Sequence, residues 1–447
     1  MTMKNRYLLK LGAILLLALF ISSCEKWIDP EINKDPNSVV DVPYNLLLPS
    51  IEVNLGYEFG GMDVRGITGM WIQHVSGQAR QASTMGKNYN LKESDVVNLW
   101  YILYSVSMMD LTVLIQKTGD ANPQARGAGK ILMAYSLGTA TDLFGDIPYT
   151  EAFKGNANLK PKYDTQESIY TTINNLLTEA IGDLSTPNSS NAIPFGSGSN
   201  DLIYNGNTDK WIAAAHSLRA RYAMHLSNKS SVDYTAILAD CVAGIASNDD
   251  DFQMPFGTTE SNANPLYQFD VQRTDIAPSS AFTTRAAGDP RLEVFQDEGS
   301  NFGTFYGSID SPVPFMTYVE TLFIEAEAHL RQTVTSHQLA NAAYDAAVKA
   351  SLDKFGITNA TWLANNTSGV LGDRSIKNII EAKYIALFMQ TEAYNDFRRT
   401  GYPVLVPTAG AAVPARYPYS SDERIYNTAN VPTGMTIYSP LWWMSSK

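Results

Sequence analysis

Apolar residues in this chain recur at three- and four-residue spacing, with small residues beside large ones in the same stripe. In "ARGAGKILMAYSLGTATDLFGDIP", Ile131, Ala134, Tyr135 and Gly138 share one helical face. "FMTYVETLFIEAEAHL" repeats the pattern with Phe315, Tyr318, Val319, Leu322, Ala326 and Leu330, and "LANAAYDAAVKASLDKFG" with Tyr344, Ala347, Val348, Ser351 and Phe355. Alanine and glycine in such a stripe let a second helix approach closely. The chain is therefore predicted to be mainly α, built from antiparallel helix pairs of the tetratricopeptide kind, although no repeat of fixed period stands out. Gly145 suits the position just past a helix end, and Pro148 prevents continuation. "SIKNIIEAKYIALFMQTEAYNDFRRTGYP" is predicted as one long helix ending at Gly401. "DLIYNGNTDKWIAAAHSLRARYAMHLS" reads as a turn at Asn205-Gly206, then a helix with Trp211, Leu218 and Arg221. Residues 185–207, 248–281 and 296–314 read as long irregular segments, rich in Asn and Gly, where ligand contact is expected.

The start of the chain has the layout of an export signal. Lys4, Arg6 and Lys10 precede an apolar centre at residues 11–21. That centre is about half of the ~20 apolar residues a membrane-spanning helix needs. It ends in Ile21-Ser22-Ser23-Cys24, which resembles a lipobox, where a thiol is alkylated by lipid and becomes the first mature residue. Residues 1–23 are read as a lipoprotein signal peptide and Cys24 as the lipidation site. Residues 24–42, polar and with Asp-Pro at 29–30 and 35–36, are read as an extended tether. Residues 43–447 are read as a single domain. The chain has two cysteines. With Cys24 acylated, Cys241 has no partner, so a disulfide framework and a thiolate metal cage are both excluded. Cys241 lies in an apolar helix-like stretch and is expected to be a buried, inert thiol.

The formal charge is −12; the first 23 residues carry three bases and no acids, so the mature chain would carry −15. That balance disfavours nucleic acid and electrostatic binding to anionic lipid. No HExxH, G-x-S-x-G, P-loop or G-x-G-x-x-G motif is present. Glu325, Glu327 and His329 do not share a helical face, so a metal there is not expected. Asp249, Asp250 and Asp251 are read as a solvated turn; a structural Ca²⁺ is conceivable there but not predicted. No cofactor is expected. Arg398 and Arg399, near a helix C-terminus with Asp396 at i,i+3, are read as structural ion-pair donors.

Several longer stretches carry more information together than singly. They are "KDPN" at 34–37, "DLFGDIPYTEAF", "YNGN…W", "DPRL", "FRRTGYP", the "YP…SDER…N" tail and the final "LWW". Their order and spacing resemble the SusD/RagB family of outer-membrane nutrient-binding lipoproteins, in particular its SusD-like second subgroup, over nearly the whole mature chain. The usual acidic residue after the tryptophan pair is Met444 here.

The resemblance implies an α-helical fold of several tetratricopeptide-like helix pairs with a loop-rich ligand face and little β structure. It implies a cell-surface lipoprotein of the outer membrane that is not an enzyme. Such a protein binds oligosaccharides or polysaccharides and delivers them to a TonB-dependent SusC-like transporter. The alternative is the same scaffold binding peptides or another nutrient; a glycoside hydrolase is the least favoured reading. A sugar offers apolar ring faces and many hydroxyls, which aromatic rings flanked by amides and charged groups match. The family's ligand face corresponds here to residues 56–90 and 248–307. The candidates are Trp71, Gln78, Arg80, Tyr89 and Asn90 in the first, and Asn264, Tyr267, Phe269, Arg273 and Tyr306 in the second.

Overall fold

The computed structural model describes residue 3 and residues 42–445, except 190–194, 196–198, 231, 300 and 333–335. The expected signal peptide, Cys24 and residues 24–41 of the expected tether lie outside the described residues, Met3 apart. From Tyr44 onward the chain forms one compact unit.

The main helices are α1 (Tyr44–Gly60), α2 (Met109–Thr118), α3 (Pro123–Phe144), α4 (Gln166–Leu184), α5 (Thr208–His225), α6 (Tyr234–Ala243), α7 (Pro265–Arg273), α8 (Tyr318–Arg331), α9 (His337–Asp353), α10 (Ile376–Ala386) and α11 (Glu392–Thr400). Their starts follow from local chemistry. Each of α4 to α10 begins after a Thr, Asn, Asp or Ser whose side chain accepts a backbone N–H of the first turn: Thr165, Asn207, Asp233, Asn264, Thr317, Ser336 and Ser375. Gly145 ends α3 with φ 84° and Gly401 ends α11 with φ 76°, as expected. Asn205 and Gly206 both take positive φ at the turn before α5.

The small residues do what their spacing implies. A Cβ added at Gly127 of α3 would lie 2.7 Å from Leu184 at the far end of α4, and one at Gly138 would lie 2.1 Å from the Tyr222 hydroxyl of α5. Helices α3 and α4 therefore run antiparallel in close contact, with α5 across the pair. Helices α8 and α9 form a second such pair around Val319, Phe323, Ala343 and Ala347, and Ile379 of α10 packs on the same cluster. A continuous helical run from Val97 to Thr118 is long and apolar enough to cross a membrane by composition. Its Leu99, Leu103, Leu111 and Leu114 are fully buried, and the run packs on α1 and α3.

Two expectations about secondary structure need correction. The predicted single helix over residues 375–400 is broken between Ala386 and Glu392, where Met389 takes φ 57°. The backbone groups freed there are recruited by buried side chains: the Met389 N–H donates to His74 Nδ1 at 3.0 Å, and Arg65 donates to the Met389 carbonyl. No Gly or Pro marks that break, so the local pattern could not reveal it. The segments 248–281 and 296–314 are also not simply irregular. They contain α7 and most of two small antiparallel sheets. In one, β1 (Val75–Gly77) pairs with β3 (Ile276–Pro278); in the other, β2 (Phe252–Met254) pairs with β4 (Val313–Met316).

Many charged residues inside the body form ion pairs. Arg399 donates to both carboxylate oxygens of Glu327 and to Asp396 at 2.7 Å. Arg221 chelates Glu320, Lys383 meets Asp396 at 2.7 Å, and His225 meets Glu392 at 2.8 Å. All are buried. Arg398 donates to the carbonyls of Asp142 and Ala415, so both arginines of "FRRTGYP" are structural, but only Arg399 is the ion-pair donor expected; among the described residues Arg398 meets neutral oxygens instead. Cys241 is buried and free, and burial pushes its thiol pKa up. Asp250 pairs with Lys210 at 2.8 Å and Asp251 is buried against Lys354, so of the turn expected to be solvated only Asp249 is exposed. Among the described residues no group of three or more His, Cys, Asp or Glu side chains could hold a metal ion.

Burial depresses the pKa of His74 to about 3, with Arg65 adding to the effect against a hydrogen bond to the Tyr384 carbonyl. Its neutral ring accepts from Met389 and meets that carbonyl at 2.9 Å. The stability it contributes is fully present above about 6.5 and is lost as pH falls toward 3. His74→Gln should therefore be less stable than wild type at neutral pH. The gap should narrow by about 1 kcal/mol per pH unit on acidification below 6.5, read by urea denaturation. A gap that widens in acid contradicts a neutral, buried ring.

Candidate functional site

An open cleft of about 420 Å³ lies beside the Val97–Thr118 run and the "DIPYTEAF" turn. Three rings of its wall follow one another in near-parallel order, and Tyr163, outside the lining, continues the series. Phe153 and Tyr104 have centroids 6.0 Å apart, Tyr104 and Trp100 4.7 Å, and Trp100 and Tyr163 6.2 Å. Tyr101 stands beside them and is 59% exposed. Its position explains this. The buried stripe of the run passes through Leu99 and Leu103, and Tyr101 falls between them on the opposite side. Phe153 is held in a left-handed backbone conformation with φ 60°, uncommon for a bulky residue and a local strain that places its half-buried ring at the cleft.

The polar groups are arranged around the rings. The Tyr104 hydroxyl donates to the Pro148 carbonyl at 2.9 Å, and the Tyr163 hydroxyl donates to Glu423 at 2.9 Å. Burial pushes both phenol pKa values up, and nearby Glu423 adds to this, so both remain donors. Asp422, Glu423 and Asn158 line the cleft along with Lys154. The cleft thus presents apolar ring surface next to an amide, two carboxylates and one lysine. That combination suits a neutral, hydroxylated, flat-faced ligand.

The ten residues chosen from sequence lie elsewhere; none of them lines this cleft. Four are core residues and are corrected as ligand contacts. Trp71 is fully buried between Tyr394 and Tyr417, and its indole N–H donates to the Met85 carbonyl. Tyr89 is buried and its hydroxyl accepts the Thr408 N–H at 3.1 Å. Asn264 is the N-cap of α7, with its amide donating to the Ser311 carbonyl at 2.7 Å. Tyr306 is buried under Arg65 and beside Phe388.

Three others meet at one end of the β1–β3 sheet. Gln78 is exposed, and its backbone N–H donates to the Asp275 carbonyl. Arg80 pairs with Asp275 at 2.6 Å and donates to the Arg273 carbonyl at 2.6 Å. The Arg80 guanidinium is thus already spent on tying residues 273–275 to the first segment. Tyr267 and Phe269 are half-buried on α7, two positions apart and so about 200° around the helix; they do not share a face. Asn90 is exposed.

The sequence matches the SusD-like_2 family profile over residues 36–420, described as starch-binding and associating with the outer membrane. The chain belongs to the SusD-like family. Solved structures agree in fold. A SusD/RagB family protein from Bacteroides thetaiotaomicron superimposes with a TM-score of 0.77 at 24% identity, covering 90% of this chain and 99% of that one. A chitin-binding SusD homologue from Flavobacterium johnsoniae gives 0.77 at 21%, covering 90% and 98%. A SusD homologue from Bacteroides fragilis gives 0.71 at 23%, covering 91% and 100%. Comparison with curated proteins finds no match. The mainly helical, low-β architecture expected from sequence is the SusD-like one.

The motifs that carry the SusD-like resemblance are mostly scaffold. "FRRTGYP" supplies the buried arginines, and the indole of Trp443 in the final tryptophan pair donates to Asp142 at 3.1 Å. "DIPYTEAF" reaches the aromatic cleft through Phe153, and the "SDER" of the tail reaches it through Asp422 and Glu423. Tyr101 was legible in principle, as a large ring off the buried stripe of an apolar helix. The burial of Trp71 and Tyr89 gives opposite expectations for stability and binding. Trp71→Ala should cost about 3–5 kcal/mol in denaturant unfolding, and Tyr89→Ala nearly as much, with ligand affinity of the folded fraction unchanged. Weakened binding at wild-type stability would return these rings to the ligand face.

Proposed function

We propose that this SusD-like protein is a surface-exposed lipoprotein of the outer membrane. It captures neutral oligosaccharides or polysaccharides on the Tyr101–Phe153 cleft and passes them, uncleaved, to a TonB-dependent SusC-like barrel. The observation that carries the reading is the exposed ring surface of Tyr101 beside a strained, cleft-facing Phe153, in a family described as starch-binding. A related fold is named as chitin-binding, which supports a saccharide over other nutrients. Anchoring through Cys24 is supported by the basic start, the short apolar centre and the cysteine at its end. Several acyl chains at one terminus give stable membrane attachment, at about 0.8 kcal/mol per buried CH₂.

Calorimetry of the mature protein with neutral hexose oligomers should show binding, with no new reducing ends after prolonged incubation. Tyr101→Ala should weaken that binding about tenfold or more without lowering the melting temperature, because the ring is exposed. Unchanged affinity in that variant removes the cleft from the proposal. Binding of peptides alone favours the other nutrient class, and released sugar favours a hydrolase.

In cells, Cys24→Ala should leave the membrane fraction, followed by fractionation and intact-mass measurement. A wild-type N-terminus without lipid contradicts the anchor.

A further inference from the structure

A second open cleft, of about 480 Å³, lies where α9 and α10 meet the short helix Ala360–Asn366 and the "GDPRL" turn. It differs from the aromatic cleft in charge. Three arginines line it: Arg285, Arg291 and Arg374. Arg291 is saturated. It chelates Asp289 at 2.9 and 2.5 Å and donates to Ser351 at 2.8 Å. Its guanidinium lies 5.6 Å from the centroid of the Trp362 ring and braces it.

The other two arginines are not saturated. Arg374 is only 6% exposed, yet its Nε and Nη2 both donate to a single neutral acceptor, the Gly372 carbonyl, at 3.1 and 2.9 Å. Its guanidinium rests on the Tyr344 ring at 5.4 Å. Arg285 donates to the Val404 carbonyl. Among the described residues neither has a carboxylate within 4.0 Å, unlike Arg221, Arg291 and Arg399; Arg65, Arg398 and Arg416 share that lack but do not line this cleft. A nearly buried guanidinium held only by a neutral carbonyl and a tyrosine retains the capacity to take an anionic partner. Glu381 is the one carboxylate of the cleft lining besides Asp289, and Lys377, one helical turn away, lies 4.0 Å from it.

Neutral groups complete the cleft. Trp362 is half-buried, with part of its ring packed on the α8–α9 core and the remainder on the cleft. The side-chain oxygen of Asn378 is used by Ser375, which leaves its amide hydrogens to the cleft. A ring platform, amide donors and two unpaired guanidiniums together match a sugar ring that bears an anionic group. We infer that this cleft binds an acidic saccharide, a pyranose carrying a carboxylate or a sulfate, stacked on Trp362 with its anionic group on Arg374 and Arg285. The inference rests on the reading of the protein as a glycan binder, but places a second, charge-selective site away from Tyr101.

The test compares three oligomers of equal length on the mature protein by calorimetry: a uronate oligomer, a sulfated neutral-sugar oligomer and its unsulfated parent. At least one acidic oligomer should bind with an affinity that falls as salt rises. Arg374→Gln and, separately, the solvent-side Arg285→Gln should each weaken that binding about tenfold, and Trp362→Phe should weaken it less than either. Uronate against sulfate then identifies the anionic group. Because Arg374 is buried, Arg285→Gln keeps the test valid if Arg374→Gln does not fold. Acidic binding that is insensitive to both arginines, or equal affinity for acidic and neutral oligomers, overturns the inference while leaving glycan capture intact. Binding of an acidic peptide but of no acidic saccharide at this cleft also overturns it. Absence of binding to all three oligomers overturns both readings.

Discussion

Buried charge holds this fold in register. Asp142 at the end of α3 accepts from Tyr170 of α4 at 2.5 Å and from the C-terminal Trp443 at 3.1 Å, and it lies 3.4 Å from His225 of α5. His225 in turn meets Glu392 of α11, and Arg399 of α11 reaches Glu327 of α8. Two sets of ionised and hydrogen-bonded groups, both carried on α11, therefore join helices from across the chain with its C-terminus. Charges taken out of water are costly unless each is matched. Here burial works against ionisation of Glu327, yet Arg399 and Arg331 outweigh it and hold its pKa at about 2. For His225 burial also opposes charge, and Glu392 and Asp142 outweigh it and raise its pKa.

Such a set tolerates little displacement, because a shift of one helix leaves several charges unmatched at once. Close helix contact supplies the complementary constraint. At Gly127 and Gly138 the neighbouring helix occupies the space a side chain would need. Packing alone permits helices to slide along an apolar stripe; the ion pairs specify where they stop. The result is a stiff body whose two clefts are formed by residues at the ends and outer faces of helices. The aromatic cleft borrows its rings from the Val97–Thr118 run and a strained turn. The arginine-lined cleft borrows its walls from α9 and α10 and the turn before them.

The sequence was informative where one local rule dominates. The turn at Asn205-Gly206, the stop at Gly145 and the small-residue stripe of α3 were readable because each depends on neighbours a few positions away. Ligand contacts were much less readable. Trp71 and Tyr89 look like binding residues by type and region, but both are buried by partners some 300 positions later: Tyr394 and Tyr417 against Trp71, and Thr408 bonded to Tyr89. The break at Met389 has the same origin, since His74 and Arg65 that accommodate it are equally distant in sequence.

The sequence by itself determined that the chain is a helical, SusD-like binding scaffold with structural arginines in "FRRTGYP" and an unpaired Cys241, because periodicity, caps and motif order are properties of neighbouring residues. Only the tertiary structure decided which rings are wet. Exposure of an aromatic depends on whether distant elements close over it. That closure buried Trp71 and Tyr306, left Tyr101 in water, and gave Arg374 a carbonyl for a partner where Arg221, Arg291 and Arg399 have a carboxylate.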